Sequence, residues 1–215
     1  RVLFRSPEAR EAQIYARGRV VGGSSSVNAA IAHRATTADA ERWVGAGLDE
    51  WSWDKLLHYY KKLEADQDYG TSDIHGGSGP VPIKRVTEDE WPAATHAMRA
   101  VAESLGFPML EDFNLPGADG FARSARNVWG QSTRAGTLLT YLAEARTRPN
   151  LTILSETYCQ RVLFEGRRAV GVEIDRGKGR QQILADRVVI AAGFVQSPQI
   201  LTLSGIGPAE VLERL

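Results

Sequence analysis

One cysteine, Cys159, is present in 215 residues. A lone cysteine excludes an internal disulfide framework and a cysteine-built zinc site, and it fits a reducing, cytoplasmic compartment. Charge of one sign is not in excess either: 26 basic side chains face 26 acidic ones, which leaves no electrostatic basis for a nucleic-acid partner. No apolar run is long enough to span a bilayer, so no membrane span is expected. No segment reads as a signal peptide. A glycine fingerprint that follows a strand and precedes an acidic residue about 20 positions on is also missing, which argues against a nicotinamide dehydrogenase. There is no internal repeat and no low-complexity segment. The chain begins with Arg1 rather than Met, and Pro208 to Leu215 reads as a helix just starting. Both ends are therefore expected to be cuts within a longer protein.

What the sequence does have is the run Gly18-Arg19-Val20-Val21-Gly22-Gly23-Ser24-Ser25-Ser26-Val27-Asn28, followed by the alanine-rich Ala29-Ala30-Ile31-Ala32. Glycines permit sharp turns and close approach of backbone to a ligand. Serines can cap a following helix, and a helix N-terminus favours phosphate or another electron-rich group. The run therefore predicts a loop-to-helix anion site. Taken alone, it favours a tight turn before a helix.

The wording of the run and its company carry a resemblance. It resembles the first signature of the glucose-methanol-choline family of flavin oxidoreductases, in which a basic residue, an aliphatic, two glycines, two small residues and then aliphatic-Asn follow in this order. The match continues through Arg34-Ala35 to Ala38-Asp39-Ala40-Glu41-Arg42-Trp43. Ser197-Pro198-Gln199-Ile200-Leu201-Thr202-Leu203-Ser204-Gly205-Ile206-Gly207-Pro208 looks like the family's second signature. The resemblance covers essentially the whole chain. It implies an α/β fold (α+β in the second part), with an incomplete Rossmann-like FAD-binding domain and a smaller mixed-sheet substrate domain. Residues 1–41 and 151–215 would be parts of the FAD-binding domain, and 42–150 the substrate domain with its linkers. It implies FAD as cofactor, a small-molecule alcohol as substrate, and oxygen or another electron acceptor as partner.

By the same resemblance, Arg19, Val20, Gly22, Gly23, Ser24, Ser25, Asn28, Ala29, Ala30 and Ile31 would bind the cofactor. Cys159, Ala192, Gly193 and Ser197 would join them from the second half. Asn28 can both donate to and accept from a flavin edge. Cys159 would meet the adenine through its backbone, with no redox role. Some members attach FAD through a histidine just before the signature Asn. Here Val27 stands there, so a non-covalent flavin is expected. Phe194 stands where a small residue is usual, and its ring would either crowd the cofactor loop or turn outward. The family's G-x-G-x-x-G turn is absent, and its catalytic histidine would lie beyond Leu215. His33, His58, His75 and His96 all read as structural, so no catalytic residue is assigned and no metal site is expected. The chain alone is expected to be inactive. A flavin-dependent lyase cleaving cyanohydrins on the same scaffold, or a truncated non-catalytic homologue, remains an alternative.

Period and punctuation predict the elements. Trp53, Leu56, Leu57, Tyr60 and Leu63 fall at helical spacing over 52–64, with Ser52 as cap. Asp73 to Pro80 is a loop, and Val81-Pro82-Ile83 a short edge strand. A helix is expected over 87–105, with a Thr87/Glu90 capping box, a buried face of Trp91, Ala94, Met98, Val101 and Leu105, and Gly106 at its end. Asn114 to Gly120 is a loop, and 137–146 a third helix. Leu151 to Leu154 reads as a strand, 160–165 and 169–175 as a hairpin, and Gln181 to Leu184 as a further strand. Arg187 to Gly193 reads as a buried parallel strand, after which Ser197 caps a helix with Pro198 at its first position.

Overall fold

The computed structural model describes residues 2–4, 13–130 and 132–214. The chain divides into two compact units, Arg1–Leu151 and Thr152–Leu215. Among the described residues, no helix is long and apolar enough to cross a membrane. Both units mix helices with small sheets, as the expected α/β class requires.

In the first unit, β1 (Val2–Phe4) and β2 (Gln13–Tyr15) form an antiparallel pair. Helix α1 (Thr37–Gly45) starts with a full capping box: Asp39 N donates to Thr36 Oγ1 at 3.1 Å, and Thr36 N donates to Asp39 Oδ2 at 2.9 Å. Helix α2 (Trp53–Leu63) buries Leu56 and half-buries Trp53, Leu57, Tyr60 and Leu63, the stripe expected from its period. Ser52 stands at its N-cap position but makes no side-chain cap bond. The chain then runs without a break into β3 (Glu64–Asp66), which pairs in parallel with β4 (Val81–Arg85).

Strand β4 is central rather than an edge, which corrects the expectation from Pro82. Its other side takes β7 (Ala125–Arg126), but only at Lys84 and Arg85. Pro82 lies before that pairing begins, so its missing N–H leaves no gap in the β7 ladder. The helix expected over 87–105 is broken. A 3-10 turn, Glu88–Glu90, carries the Thr87/Glu90 capping box, and the chain re-enters a helix, α3 (Ala93–Ser104), behind Pro92. Proline cannot supply the N–H that would continue the first turn. The face expected to be buried is not: Met98, Val101 and Leu105 are all exposed, and the helix turns Thr95 and Arg99 inward instead. Gly106, at φ 79°, ends it as expected.

Next come β5 (Met109–Leu110) and β6 (Phe121–Ala122), a parallel pair. β8 (Val128–Trp129) and β9 (Thr133–Arg134) follow β7 as an antiparallel pair. The third helix is reduced to α4 (Tyr141–Ala145), with turns over residues 137–140. Leu151 to Leu154 forms no strand.

The second unit is an antiparallel meander of β10 (Tyr158–Glu165), β11 (Arg168–Asp175) and β12 (Arg180–Leu184). The expected hairpin is present, with Gly166 at φ 58° in its turn. Arg187 to Gly193 is not a strand, and Val189 is 88% exposed. A buried parallel strand needs hydrogen-bonding neighbours, and among the described residues none pairs with this segment. Helix α5 (Gly193–Leu203) begins four residues before Ser197 and carries Pro198 inside it. Ser204, past its end, accepts from Val162 N of β10 at 2.8 Å and donates to Ile200 O at 2.6 Å, tying helix to sheet. Helix α6 (Ala209–Leu212) follows Pro208.

Candidate functional site

The loop from Gly18 to Asn28 folds back on itself. Gly22 and Gly23 take φ 94° and 56°, a region that favours glycine, and residues Gly23–Ser26 make one 3-10 turn. Gly18 packs directly on the Gly23–Ser24 backbone: a Cβ there would lie 2.3 Å from Gly23 O. The serines hold the loop rather than cap a helix. Gly18 N donates to Ser24 Oγ at 3.3 Å, Ser25 Oγ to Gly22 O at 2.6 Å, and Ser26 Oγ to Val21 O at 3.3 Å.

The alanine-rich stretch is not a helix either, so the expected loop-to-helix anion site is not what forms. Ala30 sits buried at φ 56°, Ile31 bridges to Arg126, and Ala32 N donates to Ala125 O at 2.9 Å. The free edge of β7 supplies these pairings, and tertiary pairing overrides alanine's helix preference.

A distant segment straps the loop down. Thr137 N donates to Ser25 Oγ at 3.0 Å, and Thr137 Oγ1 to Gly22 O at 3.2 Å. A Cβ on Gly136 would come within 3.0 Å of Ser25 O. Arg134 Nη1 donates to Asn28 Oδ1 at 2.7 Å and also to the Asn28 main-chain oxygen. Asn127 N donates to Ala30 O at 2.8 Å, and Asn127 Nδ2 to Ala135 O at 3.1 Å. What the loop leaves outside is apolar: Val20, Val27 and Ile31 are each more than half exposed, and Arg19, Ser24, Asn28 and Ala29 are exposed beside them.

In the second unit, Cys159 lies half-buried on β10 beside a register shift, and burial pushes its thiol up from its ordinary range. A protonated, poorly accessible thiol is inert. Gly193, at φ 87°, opens α5, and Ser197 Oγ accepts from Ala192 N at 3.1 Å. The Phe194 ring is 71% exposed.

Sequence reasoning missed the most heavily charged interior of the first unit. His75 is buried between three carboxylates. Its Nε2 lies 2.8 Å from Asp112 Oδ2, and its Nδ1 lies 3.1 Å from Asp66 Oδ2 and 3.2 Å from Glu64 Oε2. Arg85, fully buried, donates to Asp112 Oδ1 at 2.8 Å and to Asp66 Oδ2. Arg34 Nε donates to Glu64 Oε1 at 2.9 Å. Glu64 and Asp66 alternate on β3 and share a face. Gly76, Gly77 and Gly79 let the loop around His75 lie against the backbone of Lys61, Gly70 and Leu63, where a Cβ would collide. That is the use of this glycine run.

Glu64, Asp66 and His75 place donor atoms close enough together to hold a cation. Arg34 and Arg85 already neutralise the same carboxylates, so the cluster is an ion network of three cations and three buried anions, with the partly exposed Asp68 as a fourth carboxylate on Arg85. Burial alone would lower the His75 pKa, but its hydrogen bonds to Asp112, Asp66 and Glu64 outweigh this and push it up to about 10. Burial would raise Glu64, Asp66 and Asp112, yet their bonds to His75 and the arginines hold all three below the usual carboxylate range. A buried histidine held protonated by three carboxylates is not available to take a proton from substrate.

The pH dependence follows from these signs. The His75 contribution to stability is complete below its ordinary value of 6.5 and is lost as pH rises through about 10. The carboxylates contribute fully above their ordinary values of 3.8 to 4.5 and lose that contribution as pH falls below them. Thermal melting against pH is expected to peak between these limits. In His75→Gln the decline between pH 6.5 and 10 is expected to flatten; an unchanged alkaline slope in the variant would refute the assignment.

The sequence profile described as GMC oxidoreductase matches residues 7–213. The chain belongs to the GMC oxidoreductase family. Among GMC relatives, it is 39% identical over 207 residues to a 5-(hydroxymethyl)furfural oxidase of Methylovorus sp. (strain MP688), covering 96% of this chain and 39% of that protein. It is 40% identical over 203 residues to an oxygen-dependent choline dehydrogenase of Yersinia pseudotuberculosis serotype IB (strain PB1/+), covering 93% and 35%. Pyridoxine 4-oxidase from Mesorbium loti superposes with a TM-score of 0.86 at 35% identity, covering 94% of this chain and 40% of the other. The chain thus spans well under half the length of these relatives. As a GMC chain, its first-signature residues form one strapped loop in the first unit. Its second-signature residues, 197–208, form the body of α5 from its second turn on and the segment that follows it, in the second unit.

Proposed function

We propose that the protein carrying this chain is an FAD-dependent oxidoreductase that converts a CH–OH donor to a carbonyl by hydride transfer to the flavin, with oxygen or another molecule as final electron acceptor. In this reading residues 1–41 and 151–215 contribute to the FAD-binding domain, and 42–150 to the substrate domain and its linkers. The boundary between compact units at Leu151 supports the second of these divisions. The relatives named as 5-(hydroxymethyl)furfural oxidase, choline dehydrogenase and pyridoxine 4-oxidase support an alcohol as substrate class.

The observation that carries the reading is the loop itself. Its backbone turns through Gly22 and Gly23, it leaves Val20, Val27 and Ile31 open to cover, and it offers polar tips at Arg19, Ser24 and Asn28. An apolar ring system with a polar edge fits this surface. The residues proposed to bind FAD are Arg19, Val20, Gly22, Gly23, Ser24, Ser25, Asn28, Ala29, Ala30 and Ile31 of this loop, together with Cys159, Ala192, Gly193 and Ser197. Bound flavin supplies the two-electron acceptor that no side chain can. Val27 carries no nucleophilic atom, so the attachment is non-covalent at this position.

The test is anaerobic mixing of the flavin-loaded protein, expressed from its whole reading frame, with 5-(hydroxymethyl)furfural, choline, pyridoxine and simple primary alcohols. Bleaching of the flavin by at least one of them is expected. An FAD-loaded protein that no CH–OH donor bleaches would contradict the proposal.

A further inference from the structure

The tip of Asn28 has one acceptor and one donor end. Its Oδ1 accepts from Ala30 N at 3.0 Å and from Arg134 Nη1 at 2.7 Å. Arg134 also donates to the main-chain oxygen of the same residue. A guanidinium only donates, so the atom that faces it must be oxygen. Turning the amide over would set its N–H groups against two donors and break two hydrogen bonds, one of them charge-assisted. The Nδ2 group therefore points away from both, makes no hydrogen bond among the described residues, and belongs to an exposed side chain. The left-handed Ala30 that follows is held by the same Asn28 oxygen, so the loop and its amide are locked by one pair of contacts.

We infer that Arg134 is a positioning residue for the cofactor: by holding Asn28 Oδ1 it commits the carboxamide to act as a donor only, with Nδ2 offered to the electron-rich edge of the isoalloxazine. The inference rests on the reading that this loop holds FAD. It also narrows the sequence expectation, in which Asn28 both donates and accepts, because the acceptor end is fully engaged inside the protein. Reduction adds electron density to the flavin, so a fixed N–H donor at its edge favours the reduced form.

Two variants separate the parts. Asn28→Asp keeps oxygens for Ala30 N and Arg134, so the loop stays folded, while it replaces the donor by a carboxylate oxygen and brings a negative charge that Arg134 faces. Arg134→Met leaves Asn28 intact but frees its amide to turn. In the full-length holoprotein, Asn28→Asp is expected to bind FAD about tenfold more weakly and to show a lower flavin reduction potential. Arg134→Met is expected to move both readouts in the same direction by a smaller factor, about threefold in affinity. Because it acts through Asn28, it is expected to add nothing in an Asn28→Ala background. An unchanged potential in Asn28→Asp, or an Arg134→Met effect of equal size with and without Asn28, would overturn the inference while leaving the FAD reading intact. Failure of the unaltered protein to take up FAD would overturn both.

Discussion

Arg85→Met is expected to lower the unfolding free energy by about 3–5 kcal/mol, the cost of leaving buried charge without its partner. Arg85 is fully buried and bonds both Asp112 and Asp66, and its backbone N–H donates to Asp68 Oδ2 at 2.6 Å. Methionine fills much the same volume, so the loss is electrostatic rather than a cavity. With Arg85 gone, the buried carboxylates Glu64, Asp66 and Asp112 keep only Arg34 and His75 as cations, Asp68 loses its ion-pair partner as well, and the interior is left with excess negative charge. Urea unfolding measures the change directly. Arg168→Met, which removes an exposed pair with Asp186, is the matched control and is expected to leave the midpoint where it was. Equal midpoints for Arg85→Met and the unaltered protein would mean that the network does not hold the first unit together.

Gly18→Val is expected to weaken FAD binding roughly tenfold to a hundredfold, on the basis that overpacking costs about 1–3 kcal/mol. The Cβ it adds would sit 2.3 Å from Gly23 O, 2.6 Å from its carbonyl carbon and 2.9 Å from Ser24 N. All three are main-chain atoms, which cannot rotate aside as a side chain can. The loop must open at the turn that Gly22 and Gly23 make, and Ser24 loses its bond to Gly18 N. Gly45→Ala is the control: Gly45 lies at the end of α1, and nothing lies within 4 Å of its Cβ. Its FAD binding is expected to match that of the unaltered protein. A Gly18→Val protein that binds FAD normally would show that the loop's closed form is not the binding form.

The family and the turn of the loop over residues 18–28 were legible because they are written in consecutive residues. Gly18 meets a close backbone approach and Gly22 and Gly23 take positive φ, demands that favour glycine and leave a local trace in the sequence. The β10–β11 hairpin and α2 were legible for a similar reason, since their periods and turns are short-range. What escaped was long-range. Arg134 and Asn28 are 106 positions apart, and nothing near either one announces the other. His75 looked like a residue in a glycine turn because its three carboxylates come from β3 and from Asp112, at separations of up to 37 positions. The alternation of Glu64 and Asp66 after an amphipathic helix was the one available signal, since two acids on one strand face call for cations opposite.

The misread elements fail for reasons of context as well. The apolar face of α3 states that something should cover it, not what does, and among the described residues nothing buries Met98 or Leu105. Arg187 to Gly193 has the composition of an inner strand, but a strand exists only with neighbours to pair with. Pro92 divides the single helix expected over 87–105: the capping box starts only the 3-10 turn, and α3 begins after the proline.

The account stands most directly on whether this loop holds flavin. The deciding measurement is the visible absorption spectrum of the full-length protein after incubation with FAD and desalting, taken beside the Gly18→Val variant. A flavin band retained by the unaltered protein and released from it on denaturation, but absent from the variant, is the predicted result. A protein that leaves the column colourless, or a variant as yellow as its parent, would contradict it.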